Sequence, residues 1–188
     1  MQINEMIKNE RMAHIAAFEA ASALEGELIR ACELVTQTLK RGGKVLICGN
    51  GGSAGDAQHF AAELTGRYKT ERQALAGIAL STDTSALTAI GNDYGFEFVF
   101  SRQVEALGRE GDLLVAISTS GNSQNVIKAI DSARGLKMGV LGLSGKGGGA
   151  MSGLCDINLI VPSSDTARIQ ENHIFFIHTI CQAVDMAF

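Results

Sequence analysis

Proline occurs once in 188 residues, so the chain can build neither a collagen-like repeat nor a proline-rich linker. Its apolar stretches all fall well short of the ~18 residues that a membrane-spanning helix needs. It also has no basic excess. Sixteen Lys and Arg face twenty Asp and Glu, a net charge of −4 without a block of either sign, so the basic stripe of a nucleic-acid-binding protein is missing. Cys32, Cys48, Cys155 and Cys181 form no C-x-x-C pair; set among apolar neighbours, they read as reduced core residues. The first eleven residues are mixed polar with no apolar signal core, and the expectation is a cytoplasmic protein without membrane or nucleic-acid partners. Charged residues make up only 19% and hydrophobic ones 46%, which excludes a disordered chain.

What the sequence has in excess is glycine: 22 of 188 residues, about 12% against the roughly 7% of average usage. Glycine at this frequency without a period marks tight turns and close approach of backbone to something else.

Residues 3–41 carry apolar side chains at helical spacing, such as Leu24, Leu28, Ala31, Val35 and Leu39, and stop at Gly42-Gly43. This predicts one or two helices. The pattern then switches to five short apolar runs bounded by turn residues: Lys44–Cys48, Ala74–Leu80, Asp112–Ile117, Lys137–Leu143 and Ile157–Val161. The intervening stretches 53–66, 82–108, 122–134 and 147–153 are long enough for helices, and 165–187 closes the chain. Continuous apolar strands alternating with helices imply a parallel sheet covered on both faces. The expected architecture is one α/β domain over 1–188, with an N-terminal helical segment (1–41) and an α/β core (44–188). In open sheets of this kind, ligands bind beyond the carboxyl ends of the strands, so the loops following the runs are where function is sought.

After the first run comes Gly49-Asn50-Gly51-Gly52-Ser53 at the start of a helix. Glycines let backbone approach a ligand, and a helix N-terminus offers free N–H groups and a positive dipole end. Gly49-x-Gly51-x-x-Ala54 also fits the dinucleotide fingerprint, but the acidic residue that should end the second strand comes late, at Asp83. A Walker loop is excluded because no Gly-Lys-Ser/Thr follows. After the third run, Ser118-Thr119-Ser120-Gly121-Asn122-Ser123 opens another helix. One serine would be an N-cap; four hydroxyls in six residues suit a phosphate. Asn92 and Asp93 sit in a glycine-flanked turn, where they are either sugar-hydroxyl partners or ordinary solvated turn residues. Ser144–Gly149 forms a further flexible loop carrying Lys146, a residue that either helps hold an anion or is simply solvated.

His59 and Glu63 are four apart on the helix after the glycine loop and share a face. Gln170 and His178 are eight apart on the last helix, separated by about 12 Å of rise. All four are acceptable ligands for a divalent metal of zinc type. His14 and His173 read as surface or packing residues.

Together, Gly49-Asn50-Gly51-Gly52-Ser53, His59-Phe60-Ala61-Ala62-Glu63-Leu64-Thr65-Gly66-Arg67-Tyr68, Gly91-Asn92-Asp93-Tyr94-Gly95-Phe96, Ser118-Thr119-Ser120-Gly121-Asn122-Ser123 and Arg168-Ile169-Gln170-Glu171 resemble the phosphoheptose isomerases, enzymes of the sugar-isomerase (SIS) fold. The resemblance runs from about residue 10 to the end. It implies a three-layer α/β sandwich around a five-stranded parallel sheet, and a homotetramer whose active sites are completed by neighbouring subunits. It further implies conversion of sedoheptulose 7-phosphate to D-glycero-D-manno-heptose 7-phosphate, the first step toward nucleotide-activated heptose for lipopolysaccharide or capsule. Carried over position by position, it makes Asn50, Gly51, Gly52, Ser53, Asn92, Asp93, Ser118, Thr119, Ser120, Ser123 and Gln170 substrate-binding, with Glu63 among them. His59, Glu63, Gln170 and His178 become the ligands of one Zn2+, and Glu63 and His178 the catalytic acid/base pair. Asp165 and Thr166 fall in a segment that varies among such enzymes.

Two other functions fit parts of the sequence. One is a non-catalytic SIS-fold protein that binds a sugar phosphate or a replication initiator; it has no need of the complete His59, Glu63, Gln170 and His178 set. The other is a nucleotide-dependent oxidoreductase, which would show cofactor absorbance and need a nucleotide for turnover.

Overall fold

The computed structural model describes residues 2–188, and among them the helical and strand segments alternate as the apolar runs predict. The N-terminal segment forms two helices, α1 (Ile3–Ala20) and α2 (Glu25–Lys40), joined by a 3-10 turn over Ala21–Leu24. Helix α2 buries Leu28, Ala31, Val35 and Leu39 along one face, the helical spacing visible in the sequence. It stops at Gly42, whose φ of +78° is open to glycine at no cost. There the Gly42 amide donates to the Leu39 carbonyl and the Gly43 amide to that of Thr38, each at 3.0 Å, which satisfies the last carbonyls of the helix.

The strands are β1 (Val45–Gly49), β2 (Gly77–Ala79), β3 (Leu113–Ser118), β4 (Gly139–Gly145) and β5 (Ile157–Val161). All pair in parallel, in the order β2-β1-β3-β4-β5. Helices α3 (Gly52–Thr65), α4 (Thr84–Asp93), α5 (Ser101–Leu107), α6 (Gln124–Gly135) and α7 (Thr166–Asp185) complete the chain. Alternate strand residues face opposite layers. Val45, Ile47, Val115, Ile117 and Leu143 join α2, α3 and α7 in one core. Leu46, Cys48, Leu114, Ala116 and Val140 join α5 and α6 in the other. A sheet buried on both sides is why its strands read as unbroken apolar runs.

Two expectations change, and a third stretch resolves into parts. The run 74–80 yields only a three-residue strand, because β2 lies at the sheet edge and pairs with β1 alone. The stretch 82–108 holds two helices: α4 ends just before Gly95, at φ +101°, near the glycine-flanked segment, and a 3-10 turn (Phe96–Phe98) leads into α5. The stretch 147–153 is not an α-helix. Gly147, Gly148 and Gly149 all take positive φ within a 3-10 turn over Lys146–Met151, a conformation that breaks right-handed helix.

Strand order reverses between β1 and β3, whose onward connections run in opposite directions, from β1 out to β2 and from β3 on to β4. This switch point is where open α/β sheets form a crevice. The loops at its mouth are Asn50–Gly51 after β1 and Thr119–Ser123 after β3.

Candidate active site

The two crevice loops are locked together at their base. Asn50 Nδ2 donates to Asn125 Oδ1 at 2.9 Å, and Asn125 Nδ2 donates back to Asn50 Oδ1 at 2.8 Å. Gly51, at φ +56°, turns the chain into α3, and Ser53 is buried in its first turn. Across the crevice, the hydroxyls of Ser118 and Ser123 share a hydrogen bond of 2.9 Å. Ser123 stands at the N-cap of α6 but its side chain makes no capping bond; the Val126 amide donates to the Ser123 carbonyl at 3.0 Å, which leaves the amides of Gln124 and Asn125 open to an anion. Asp83 and Asp165, by contrast, cap α4 and α7 by accepting from the amides of Ala86 and Ala167. Asp83 is the acid that a dinucleotide reading would assign to a ribose; it serves its own helix.

The serine loop rests on the glycine turn after β4. The Met151 amide donates to the Gly121 carbonyl at 3.0 Å, and the Ala150 amide to Asn122 Oδ1 at 2.9 Å. Gly121 takes φ +65°, and a Cβ there would run into the Gly148 carbonyl. The segment expected to be a flexible loop is therefore a brace, and its glycines are what allow two backbones to touch. Lys146 is exposed beside it and its amide donates to the Ser163 carbonyl.

Helices α3 and α7 run side by side. Gly52 packs against the amide of Gln170 so closely that a Cβ would overlap it. Seven residues on in α3, His59 meets His178, eight residues on from Gln170. The two Nε2 atoms are 2.9 Å apart, and His59 Nε2 lies 3.5 Å from Glu63 Oε1. Burial, and then the charge of His59, push His178 below the ordinary histidine value, with Glu63 opposing. Asp56, one turn before His59, is pushed up to about 6 by burial, with His59 opposing; its Oδ2 is buried without a partner.

Among the described residues, no three His, Cys, Asp or Glu side chains close into a metal-holding group; His59 is the hub of two pairs. The donor chemistry nonetheless fits zinc. Ligand atoms about 2.0–2.1 Å from a tetrahedral zinc lie roughly 3.3 Å apart, and the 2.9 and 3.5 Å separations bracket that spacing. Three atoms with lone pairs facing one another need a proton or a cation between them. Gln170 stands apart, against Gly52, about 12 Å of helical rise from His178.

Of the residues singled out by sequence, the structure brings together His59, Glu63 and His178, and separately Ser118 with Ser123 and Gly52 with Gln170. Asn92 and Asp93 are not in a turn: they form the last turn of α4, both exposed, and bond to each other at 2.8 Å. Thr119 and Ser120 lie half-buried in the serine loop, and Thr166 opens α7. Sequence reasoning missed Asn125, whose signal was an amide on the apolar face of a helix. It also missed Tyr68, whose ring stacks on His178 at 5.4 Å and 25°. His173 packs internally, fully buried, with Nε2–H donating to the Ser144 carbonyl at 3.1 Å.

A family profile described as SIS domain matches residues 11–145. The phosphoheptose isomerase of Campylobacter concisus is 72% identical, over 99% of this chain and 98% of that protein. The structure of a phosphoheptose isomerase from Neisseria gonorrhoeae superposes with a TM-score of 0.94 at 51% identity, covering 98% of this chain and all of that one. One from Francisella tularensis gives 0.95 at 42% identity, over 99% of this chain and 100% of that one.

Proposed function

The chain belongs to the phosphoheptose isomerases, aldose–ketose isomerases of the SIS fold, and on that premise we propose how its residues divide the reaction on sedoheptulose 7-phosphate. The observation that carries the proposal is the meeting of His59, Glu63 and His178 between two helices whose N-terminal ends hold the glycine loop and Gln170.

The phosphate binds at the serine loop, to the hydroxyls of Ser118, Thr119, Ser120 and Ser123 and the open amides of α6. Hydroxyls and helix N-termini hold an anion without a basic patch, in keeping with the net charge of −4. Asn50, Gly51, Gly52 and Ser53 form the opposite wall, and Gln170 contacts the sugar beside Gly52. Binding energy from the remote phosphate orients the reacting carbons. Glu63 takes the proton from C1 of the ketose, an enediol forms, and the proton returns to C2; His178 moves the proton between the two oxygens. His59, Glu63 and His178 would hold one zinc ion, which when bound supplies Lewis-acid polarisation of the carbonyl; Gln170 would join them as the fourth ligand by leaving its place against Gly52. A carboxylate on a metal is a weaker base, so Glu63 acts as base when it is off the ion.

Helix α1 leaves Ile3, Ile7, Met12, Ile15 and Phe18 exposed, and α4 buries none of its residues. Apolar surface of this kind supports burial against further copies of the chain. We read the enzyme as a homotetramer in which the paired, exposed Asn92 and Asp93 serve a neighbouring subunit's site. Among the described residues no helix is long and apolar enough to cross a membrane, and a phosphorylated substrate with four free thiols agrees with work in the cytoplasm.

Isomerisation of sedoheptulose 7-phosphate, followed with purified protein and no nucleotide, tests the reading. Wild type turns over, while folded Glu63→Gln and His178→Gln variants lose about 10²- to 10⁴-fold in kcat. Near-normal turnover by either variant refutes the role given to that residue.

A further inference from the structure

Beyond the crevice, one ion pair is more deeply enclosed than any feature of the site. The side chains of Arg72 and Asp185 are 1% and 0% exposed, with Nε donating to Oδ1 at 2.9 Å. Asp185 Oδ2 also accepts the amides of Lys69 and Thr70, at 2.6 and 2.8 Å. Arg72 spends its other donors on carbonyls: Nη2 on that of Glu63 at 2.7 Å, and Nη1 on those of Leu64 and Gln73 at 3.0 and 2.9 Å. Burying a charge pair is costly unless every remaining donor and acceptor is met, and here the partners are specific. One partner is the backbone of Glu63 itself, in the last turn of α3. Asp185 lies seven residues beyond His178, two turns on and on the same face of α7. The pair thus ties the turn that carries Glu63 to the helix that carries His178. The loop it closes delivers Tyr68, whose ring covers one face of the His178 imidazole while His59 meets the ring edge-on at 5.1 Å and 69°.

We propose that Arg72, Asp185 and Tyr68 are positioning residues for the isomerisation, the ion pair setting Glu63 against His178 and the Tyr68 ring fixing the plane of the His178 imidazole. This rests on Glu63 and His178 being the acid/base pair. Groups that orient first-contact side chains usually matter about 10- to 100-fold, and small misplacements of reacting groups cost turnover more than binding.

Tyr68 is part-exposed, so Tyr68→Leu removes the stacked ring without opening the ion pair. It is expected to lower kcat about tenfold while KM stays within about twofold, with the thermal midpoint unchanged. The ring-proton resonance of His178 loses its ring-current shift in the same variant. Tyr68→Phe restores both kcat and the resonance. In Arg72→Met/Asp185→Asn the pair becomes neutral, and the amide oxygen that replaces the carboxylate still accepts the loop amides; kcat falls at unchanged KM in protein that stays folded. If that double variant does not fold, the Tyr68 variants decide. Unchanged kcat in Tyr68→Leu, an equal loss in Tyr68→Phe, or a rise in KM alone overturns the proposal. Inactive Glu63→Gln and His178→Gln beside a fully active Tyr68→Leu overturns positioning only. An active Glu63→Gln overturns the acid/base assignment, whatever Tyr68 does.

Discussion

His173 should make this fold acid-sensitive. The imidazole is fully buried, its Nε2–H is committed to the Ser144 carbonyl and its Nδ1 has no partner. Burial, only partly opposed by that hydrogen bond, pushes it down to about 4 from the ordinary 6.5. The unfolded chain therefore binds a proton as pH drops through 6.5, whereas the folded chain resists until about 4. Stability is complete above the unfolded value, declines as pH falls between the two, and loses nothing further from this group below about 4. Integrating over pH 7 to 4 gives a loss of about 3 kcal/mol, a large share of a typical domain's stability. Urea unfolding of wild type and His173→Gln, at fixed protein concentration and at half-unit steps of pH, isolates the effect. Glutamine keeps a donor for Ser144 but does not titrate. The difference between the two proteins should shrink by about 3 kcal/mol on going from pH 7 to 4. Parallel pH dependences would refute the argument, because they would mean that His173 titrates alike in both states.

Gly121→Ala combines a positive φ with a clash against the Gly148 carbonyl; it should cost about 3 kcal/mol in chemical unfolding and raise KM for the phosphorylated sugar. Asn50→Ala leaves the buried Asn125 amide short of partners and should cost about 1–3 kcal/mol, with the Asn50→Ala/Asn125→Ala double variant costing less than the sum. Ser123→Ala should raise KM about tenfold, near the worth of one hydrogen bond to a charged group, with little change in the thermal midpoint. Chelation, verified by metal analysis, should abolish isomerisation and added zinc restore it; activity unaffected by complete removal would refute the metal role and leave the isomerase intact.

The central strands were readable because both faces of the sheet are buried, so Leu113–Ser118 and its neighbours show as solid apolar runs. The edge strand was overdrawn for the complementary reason: apolar residues around Gly77–Ala79 pack on α3 without extending the ladder. Strand order is invisible in the sequence, and with it the meeting of Asn50 and Asn125 across 75 positions. Helical spacing placed His59 and Glu63 on one face, but it could not show that α7 runs alongside and delivers His178 to the same point. For the same reason the deep pairing of Arg72 with Asp185 was hidden: an arginine and an aspartate in a polar stretch and at a helix end look like solvated surface.

The brace beneath the serine loop bears on how the protein can be engineered. A run such as Gly147-Gly148-Gly149 would ordinarily be chosen to receive a tag, a reporter or new termini, since glycine-rich connections tolerate insertion. Here the run is a shim one backbone thick. Any insertion there lifts Gly121 and Asn122, and with them the hydroxyls meant for a phosphate, so the most expendable-looking segment of the chain is one of the worst places to cut it.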